Sequence, residues 1–217
     1  MQNNTQNISS ILPVLAVEET VLMPNAGLPL CLKKEKYKHM QDEIVEGNVV
    51  AVLHPISGPK KKDNIYDQNS FYKTGCSGKI IHTITIGDRI NILLQGICRF
   101  NIVHFIESTE GVVRVMVDYT KYAIDMNENN DKDVDTTNLL TALASYCKDI
   151  DAAPNWSEIN SATTDSLVSA LAMSYPLHPL ERQSILEIVD LKERSDMITK
   201  LINMNLHGSG TANATFN

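Results

Sequence analysis

The chain has 217 residues, 43% of them hydrophobic and 21% charged, the ordinary balance of a folded globular protein. A chain of this length buries roughly 70% of its unfolded surface, which excludes collagen-like, disordered and disulfide-scaffold classes. The formal net charge of −7 lies wholly in the second half: residues 1–120 carry 12 Lys and Arg against 12 Asp and Glu, and residues 121–217 carry 7 against 14.

No apolar run approaches the roughly 18 residues of a membrane span. The opening MQNNTQNISS lacks the basic and apolar regions of a secretion signal, so a cytoplasmic protein with no membrane partner is expected. The acidic second half would repel phosphate backbones, which counts against nucleic acid as a partner. Cys31, Cys76, Cys98 and Cys147 lie far apart with no C-x-x-C pair, the pattern of reduced, mostly buried thiols that hold no metal.

In chain order, Ile11 to Val17 reads as a first strand whose Pro13 requires an edge or a strand start. Lys34 to Glu46 places Tyr37, Met40 and Ile44 on one helical stripe ahead of Gly47, which predicts a helix. Val49 to His54 is a short apolar strand. Pro55 to Phe71 carries turn residues and lysines without periodicity and reads as a long mobile loop. Gly78 to Ile86 and Arg89 to Leu94 flank Gly87-Asp88, a two-residue turn of the type II′ kind. Arg99 to Ile106 and Val112 to Asp118 form a further strand pair about Glu110-Gly111. Strands joined so closely predict a curved sheet or small barrel.

The character changes after residue 120. Tyr122 to Asp135 is polar and acidic. Thr136 to Ile150 carries Leu139, Leu140, Leu143 and Cys147 on one stripe, and Thr164 to Ser174 carries Leu167, Val168 and Leu171. Pro179 suits the first position of a helix to about Glu187. Asp190 and Glu193 form a capping box for a helix through Met197, Ile198, Leu201, Ile202 and Asn205, stopped by Gly208. The fold class expected is therefore α+β: a β-rich half with one inserted helix, then a helical half. The boundaries expected are a disordered tail over 1–10, the β-rich unit over 11–120, an acidic linker over 121–135, the helical subdomain over 136–207 packed on the β-rich unit, and a disordered tail over 208–217.

Motifs that could carry chemistry fall short of their requirements. Thr74-Gly75-Cys76-Ser77-Gly78-Lys79-Ile80 has two residues between its glycines where a phosphate loop needs four, and Ile80 stands where Ser or Thr would hold Mg²⁺. The same residues lack the spacing of a serine nucleophile elbow. Asp131, Asp133 and Asp135 alternate as in a calcium loop, but Thr136 and Ala142 occupy its glycine and glutamate positions. They are better placed as acids ahead of a helix, with Asp135 or Thr136 as cap. His39, His54, His82, His104, His178 and His207 form no tight ligand pair. Lys33, Lys34, Lys36 and Lys38, with Lys60, Lys61 and Lys62, read as solvated surface. No catalytic, cofactor-binding or metal-binding residue is expected.

Certain stretches nevertheless match a pattern over most of the chain. Leu12-Pro13-Val14-Leu15, Val21-Leu22-Met23-Pro24 and Gly27-Leu28-Pro29-Leu30, then Glu35-Lys36-Tyr37, resemble the opening of the Lon protease N-terminal, substrate-binding domain. Gly75 to Ile80 and Arg89 to Phe100 look like that family's V-G-C-A-G-R-I and R-Y-x-I-x-L-x-G-x-x-R-F strands. Trp156 to Ile159, Leu167 to Met173 and Pro179 to Glu187 are similar to the helical part of bacterial Lon-domain proteins, with Ser169 in place of asparagine and Arg182 in place of lysine. The resemblance implies a PUA-like pseudo-barrel followed by helices, and a stand-alone domain without the ATPase and protease modules. It implies a non-enzymatic module, with no cofactor, that binds unfolded or peptide substrates or serves a protease as adaptor. RNA binding is the alternative that other PUA-like barrels suggest. The resemblance transfers no compact set of binding residues, so the peptide-binding site is unknown from the sequence; Tyr66, Phe71 and Tyr72 around the long loop suggest either a binding patch or barrel closure.

Overall fold

Apolar alternation sets up a six-stranded sheet in the first part of the chain. The computed structural model describes residues 8–18, 20–56, 70–106, 111–127 and 134–212, the last six by backbone alone. The strands are β1 (Ile11–Ala16), β2 (Gly27–Lys33), β3 (Val49–Leu53), β4 (Thr74–Ile86), β5 (Arg89–Ile106) and β6 (Arg114–Asp118). Their order is β2-β5-β4-β3-β1-β6, and β6 pairs again with β5, which closes five strands into a barrel and leaves β2 outside it. Among the described strands, only β1 and β3 pair in parallel. The core inside the closure holds Leu12, Val14, Ala51, Leu53, Phe71, Phe100, Val115 and Val117. Each of the Val, Leu and Phe side chains among them contributes about 1.5–3 kcal/mol by leaving water.

The Gly87-Asp88 hairpin forms as the sequence predicts: Ile86 pairs with Arg89, and of the two turn residues Gly87 alone takes positive φ, the type II′ signature. Pro13 is the third residue of β1. Pairing with β3 starts one residue later, at Val14, so its missing N–H interrupts no ladder there.

Several expectations are corrected. Residues 34–46 form a run of turns with one 3₁₀ piece, Lys38–Met40, rather than an α-helix. Their bonds alternate between i−3 (Met40 N to Tyr37 O, Glu43 N to Met40 O) and i−4 (Tyr37 N to Lys33 O, Ile44 N to Met40 O), so no continuous ladder forms. Tyr37, Met40 and Ile44 are still buried, which is what their spacing encoded. β4 starts at Thr74, so the glycine-rich stretch is strand from its first residue. β5 is one strand of 18 residues where two were expected, running straight through Gln95-Gly96-Ile97-Cys98. Two glycines permit this packing. A Cβ on Gly75 would lie 2.6 Å from Leu53 Cδ2, and one on Gly96 would lie 2.0 Å from the Met23 carbonyl oxygen.

The residues expected to open an acidic linker instead make a 3₁₀ segment, Thr120–Met126, that fastens to the barrel. Asp125 forms a two-pronged pair with Arg99 on β5, at 2.8 Å from Nε and 2.6 Å from Nη2, and also accepts the Arg99 backbone N–H at 3.0 Å. Both side chains are almost wholly buried, at 0% and 2% exposure. Burial alone would lower the Arg99 pKa, but the hydrogen bonds and charge of Asp125 more than offset it and hold the guanidinium above its ordinary value. The Tyr122 ring lies 4.6 Å under the Arg99 guanidinium, and its hydroxyl sits 3.2 Å from Thr74 Oγ1.

The chain divides into two compact units, Met1–Glu128 and Asn129–Asn217. The second unit contains α1 (Thr137–Asp149), α2 (Trp156–Ser161), α3 (Thr164–Ser174), α4 (Pro179–Glu187) and α5 (Leu191–Ala212). Helix α5 packs on α1, α3 and α4. The caps follow local chemistry: Thr163 for α3, and His178 with Glu181 in a capping box ahead of Pro179 for α4. Asp190 Oδ1 accepts from Glu193 N at the start of α5. Arg182 donates to the carbonyls of Met173, Tyr175 (3.0 Å) and Leu177 (3.3 Å), closing the C-terminal end of α3. Helix α5 continues through Gly208 to Ala212, beyond the expected stop. The class is α+β, as the sequence predicts. No helix of the described residues is long and apolar enough to cross a membrane.

Two outcomes follow from these contacts. Truncating Arg99 or Asp125 alone to Ala strands a buried charge and should cost about 3–5 kcal/mol in urea unfolding, whereas Arg99→Met with Asp125→Leu should cost well below the sum of the single changes. His54, buried and donating from Nδ1 to the Val17 carbonyl at 3.1 Å, is held by burial below its ordinary 6.5, with that hydrogen bond opposing. The unfolded chain therefore takes up a proton first, so the His54 contribution is intact above 6.5 and is lost as pH falls below it. The urea midpoint of His54→Gln should fall less steeply than that of the native protein between about pH 7.5 and pH 5.5.

Candidate functional site

The residues with chemical potential are mostly consumed by the fold. Ser77 Oγ donates to the Cys98 carbonyl at 2.9 Å and accepts from the Cys98 N–H at 3.3 Å, inside the sheet. Burial, with the Asp125 charge adding to it, pushes the Cys98 thiol up to about 12 and Cys76 well above the usual thiol range, which leaves both as packing groups. Cys147 is buried on α1, Cys31 is exposed on β2, and all four thiols are free. Asp135 Oδ1 accepts the Thr137 N–H at 2.9 Å, and its hydrogen bonds to Thr137 hold its carboxyl below the usual range. It therefore satisfies the first N–H of α1 from the position before the N-cap residue, Thr136, which makes no side-chain cap bond; Asp131 and Asp133 lie outside the described residues.

Among the described residues the histidines do not meet. His54 is buried against Tyr72, with ring centroids 5.6 Å apart, His82 pairs with Glu46, His178 caps α4, and His39 and His104 are exposed. The side chain of His207 lies outside the described residues. Among the described residues no three of His, Cys, Asp and Glu gather as metal ligands. Lys33, Lys34, Lys36 and Lys38 are exposed, and Lys36 Nζ lies 3.7 Å from Glu18. Lys60 to Lys62 and Tyr66 lie outside the described residues. Phe71 belongs to the barrel core and stacks on Phe105 at 5.8 Å, so it serves closure, and most of the loop expected over 55–71 lies outside the described residues.

Cavities open within each unit among the described residues. One of about 380 Å³ opens beside Pro13, Val49 and Ile97, with the Glu43–Arg114 ion pair in its wall. Another, about 830 Å³, is a groove along α1 and α5 between Thr141, Ser145, Lys200 and Met204. No histidine or cysteine lines either one.

The most unusual surface is the three-stranded arm formed by β2, the first half of β5 and the second half of β4. Register places Pro29, Leu93 and His82 in one row, Cys31, Asn91 and Ile84 in the next, and Lys33, Arg89 and Ile86 at the tip. These side chains face away from the buried Leu32, Ile90, Ile92 and Leu94. Leu93 is 39% exposed, Ile84 48% and Ile86 62%, an apolar strip left open among the described residues of the unit. A bulge between Ile80 and His82 produces it. Continued without the bulge, the alternation would turn Ile84 and Ile86 inward with Ile80; one extra residue moves both to the outer face. The sequence signal was present in KIIHTITI, where isoleucines stand on both parities, but the sequence does not locate the bulge.

The edges of the arm are guarded. β2 pairs with β5 alone and carries Pro29 in its middle. Beyond Ile80, β4 has no further strand on its other side among the described residues; there the Thr83 N–H is held by Glu46 Oε1 at 3.0 Å, and the same oxygen lies 2.9 Å from His82 Nδ1.

The sequence matches the family described as the ATP-dependent protease La (LON) substrate-binding domain over residues 11–204. It is 26% identical to a Lon protease of Desulfosudis oleivorans over 211 residues, covering 93% of this chain and 25% of that protein. It is 25% identical to a Lon protease of Dictyoglomus thermophilum over 210 residues, covering 94% of this chain and 26% of that one. The chain thus spans about a quarter of the length of these curated relatives. The fold is similar to the N-terminal domain of a Mycobacterium avium complex Lon protease, with a TM-score of 0.65, 18% identity, and coverage of 89% of this chain and 98% of that structure. A Lon N-terminal domain protein from Xanthomonas campestris aligns at a TM-score of 0.55 and 16% identity, covering 87% and 96%.

Because the strip is surface rather than core, Ile84→Ser with Ile86→Ser should change unfolding free energy by about 0.5 kcal/mol or less. Leu94→Ala, on the inner face of the same arm, should cost about 2–5 kcal/mol. The double serine variant should also bind less of an apolar-surface dye in its folded state.

Proposed function

The chain belongs to the family of the Lon protease substrate-binding domain, and on that premise we propose that it is a non-enzymatic module that binds unfolded or extended polypeptide. The observation that carries the reading is the uncovered apolar strip of Leu93, Ile84 and Ile86 beside Pro29 on the outer face of the arm. An extended chain presents alternate side chains to one side, at a repeat that matches the strand rows beneath it. Docking is by side chains on this face rather than by strand addition, since Pro29 blunts one edge and Glu46 occupies an N–H on the other. The relatives named above are Lon proteases, and a protease that receives the captured chain is the partner this reading favours.

Several groups that an enzyme could use are engaged by the fold: Ser77 is bonded within the sheet, the Cys76 and Cys98 thiols are raised by burial, and His178 is a helix cap. Their engagement supports a module that holds a substrate without altering it. Titration with a reduced, unfolded model protein should give saturable binding of about micromolar strength or weaker. Ile84→Ser with Ile86→Ser should weaken it, with no ATP or peptide hydrolysis by either protein. Turnover that survives repurification, or an unfolded protein that does not bind at all, would overturn the reading.

A further inference from the structure

We infer that the outer face of the arm selects extended segments in which an apolar centre is flanked by carboxylates, a preference that rests on the polypeptide-binding reading above. The charge pattern carries it. Four register rows cross the three strands: Gly27–Gln95–Lys79, Pro29–Leu93–His82, Cys31–Asn91–Ile84 and Lys33–Arg89–Ile86. Cations stand at both ends, Lys79 in the first row and Lys33 beside Arg89 in the last, and no position on the face is a carboxylate. This occurs in a chain whose net charge is −7.

The carboxylates that reach the rim do not neutralise the pattern. Glu46 is held by His82 and by the Thr83 N–H, and Asp88, itself highly exposed, approaches Arg89 Nε only to 3.9 Å. Among the described residues, no carboxylate pairs with Lys33 or Lys79. Arg89 and Gln95 are six positions apart on β5, so the two cationic rows lie about 20 Å apart. A bound segment of about seven extended residues would set its apolar side chains over Leu93, Ile84 and Pro29 and its acidic ends over Lys33, Arg89 and Lys79. An all-apolar segment would leave those cations desolvated at its ends without partners, and a basic one would meet like charge.

The test uses the full chain and two labelled, unstructured peptides of about ten residues with the same Leu/Val centre, one flanked by Asp and the other by Lys. Fluorescence anisotropy should show the Asp-flanked peptide binding about tenfold more tightly at about 50 mM salt, with the difference shrinking at about 0.5 M. Lys33→Glu with Arg89→Glu should remove or reverse the preference, and Lys79→Glu made separately should reduce it. Equal binding of the two peptides, or binding of unfolded protein but of neither peptide, would overturn the charge preference and leave the polypeptide-binding reading standing. Failure of both peptides and of unfolded protein would remove both. A single-stranded RNA oligonucleotide bound more tightly than the Asp-flanked peptide would also overturn the inference and assign the cations to phosphate.

Discussion

Eighteen residues of β5 present more backbone edge than any one pair of neighbours covers, and the strand meets this by changing partners midway. Its first half lies between β2 and β4, and its second half lies between β4 and β6. An unpaired buried N–H or C=O is expensive, so this exchange fixes the topology. β6 must return to β5, which closes the barrel, and β2 can then pair only where β6 does not reach. The arm and its outer face are consequences of that exchange. Bulges at Ser77/Gly78, Ile80/His82 and Ile102/His104 supply the bending that so long a ladder needs.

The Arg99–Asp125 pair acts at the junction of these two halves. Arg99 stands where β5 has left β2 and is about to meet β6, opposite Cys76 on β4. By holding Asp125 there, it brings Tyr122 into contact with Thr74 and covers that part of the barrel with the 3₁₀ segment. A buried ion pair is poor evidence of net stability, because desolvation offsets most of the Coulomb gain. Its geometry serves specificity instead. A two-pronged guanidinium–carboxylate contact with a third bond to the backbone N–H admits one arrangement of the 3₁₀ segment and strongly disfavours others.

The same economy explains why the face left for binding is the arm. Inside the barrel the apolar residues are consumed by packing, and the thiols, the Ser77 hydroxyl and Tyr122 are consumed by hydrogen bonds. On the arm the sheet is one layer thick: its inner face buries Leu28, Leu32, Ile80, Ile90, Ile92 and Leu94, and none of the described residues of the unit is laid over its outer face. Apolar side chains that the bulge turns outward there gain nothing for the fold. An uncovered strip between cationic rows is the kind of surface that captures another chain, and the guarded edges limit uncontrolled strand pairing.

The sequence by itself determined the elements whose signals are local. The Gly87-Asp88 hairpin, the apolar runs of β1 and β3, the span of α3, Pro179 at the start of α4 and the Asp190 cap of α5 each depend on residues within a few positions of one another, and each was legible. The match to the Lon substrate-binding family was legible too, because it rests on ordered motifs. Residues 34–46 were misread because burial of Tyr37, Met40 and Ile44 follows helical spacing even where the backbone only turns. The acids near residue 125 read as solvent-facing because nothing local announces that Asp125 will meet Arg99, 26 positions earlier. Only the tertiary structure decided that β5 runs unbroken, that Asp125 is interior, and that Ile84 and Ile86 face outward. Each of these depends on which distant strand supplies a hydrogen-bond partner, and a one-residue bulge inverts the parity of everything beyond it.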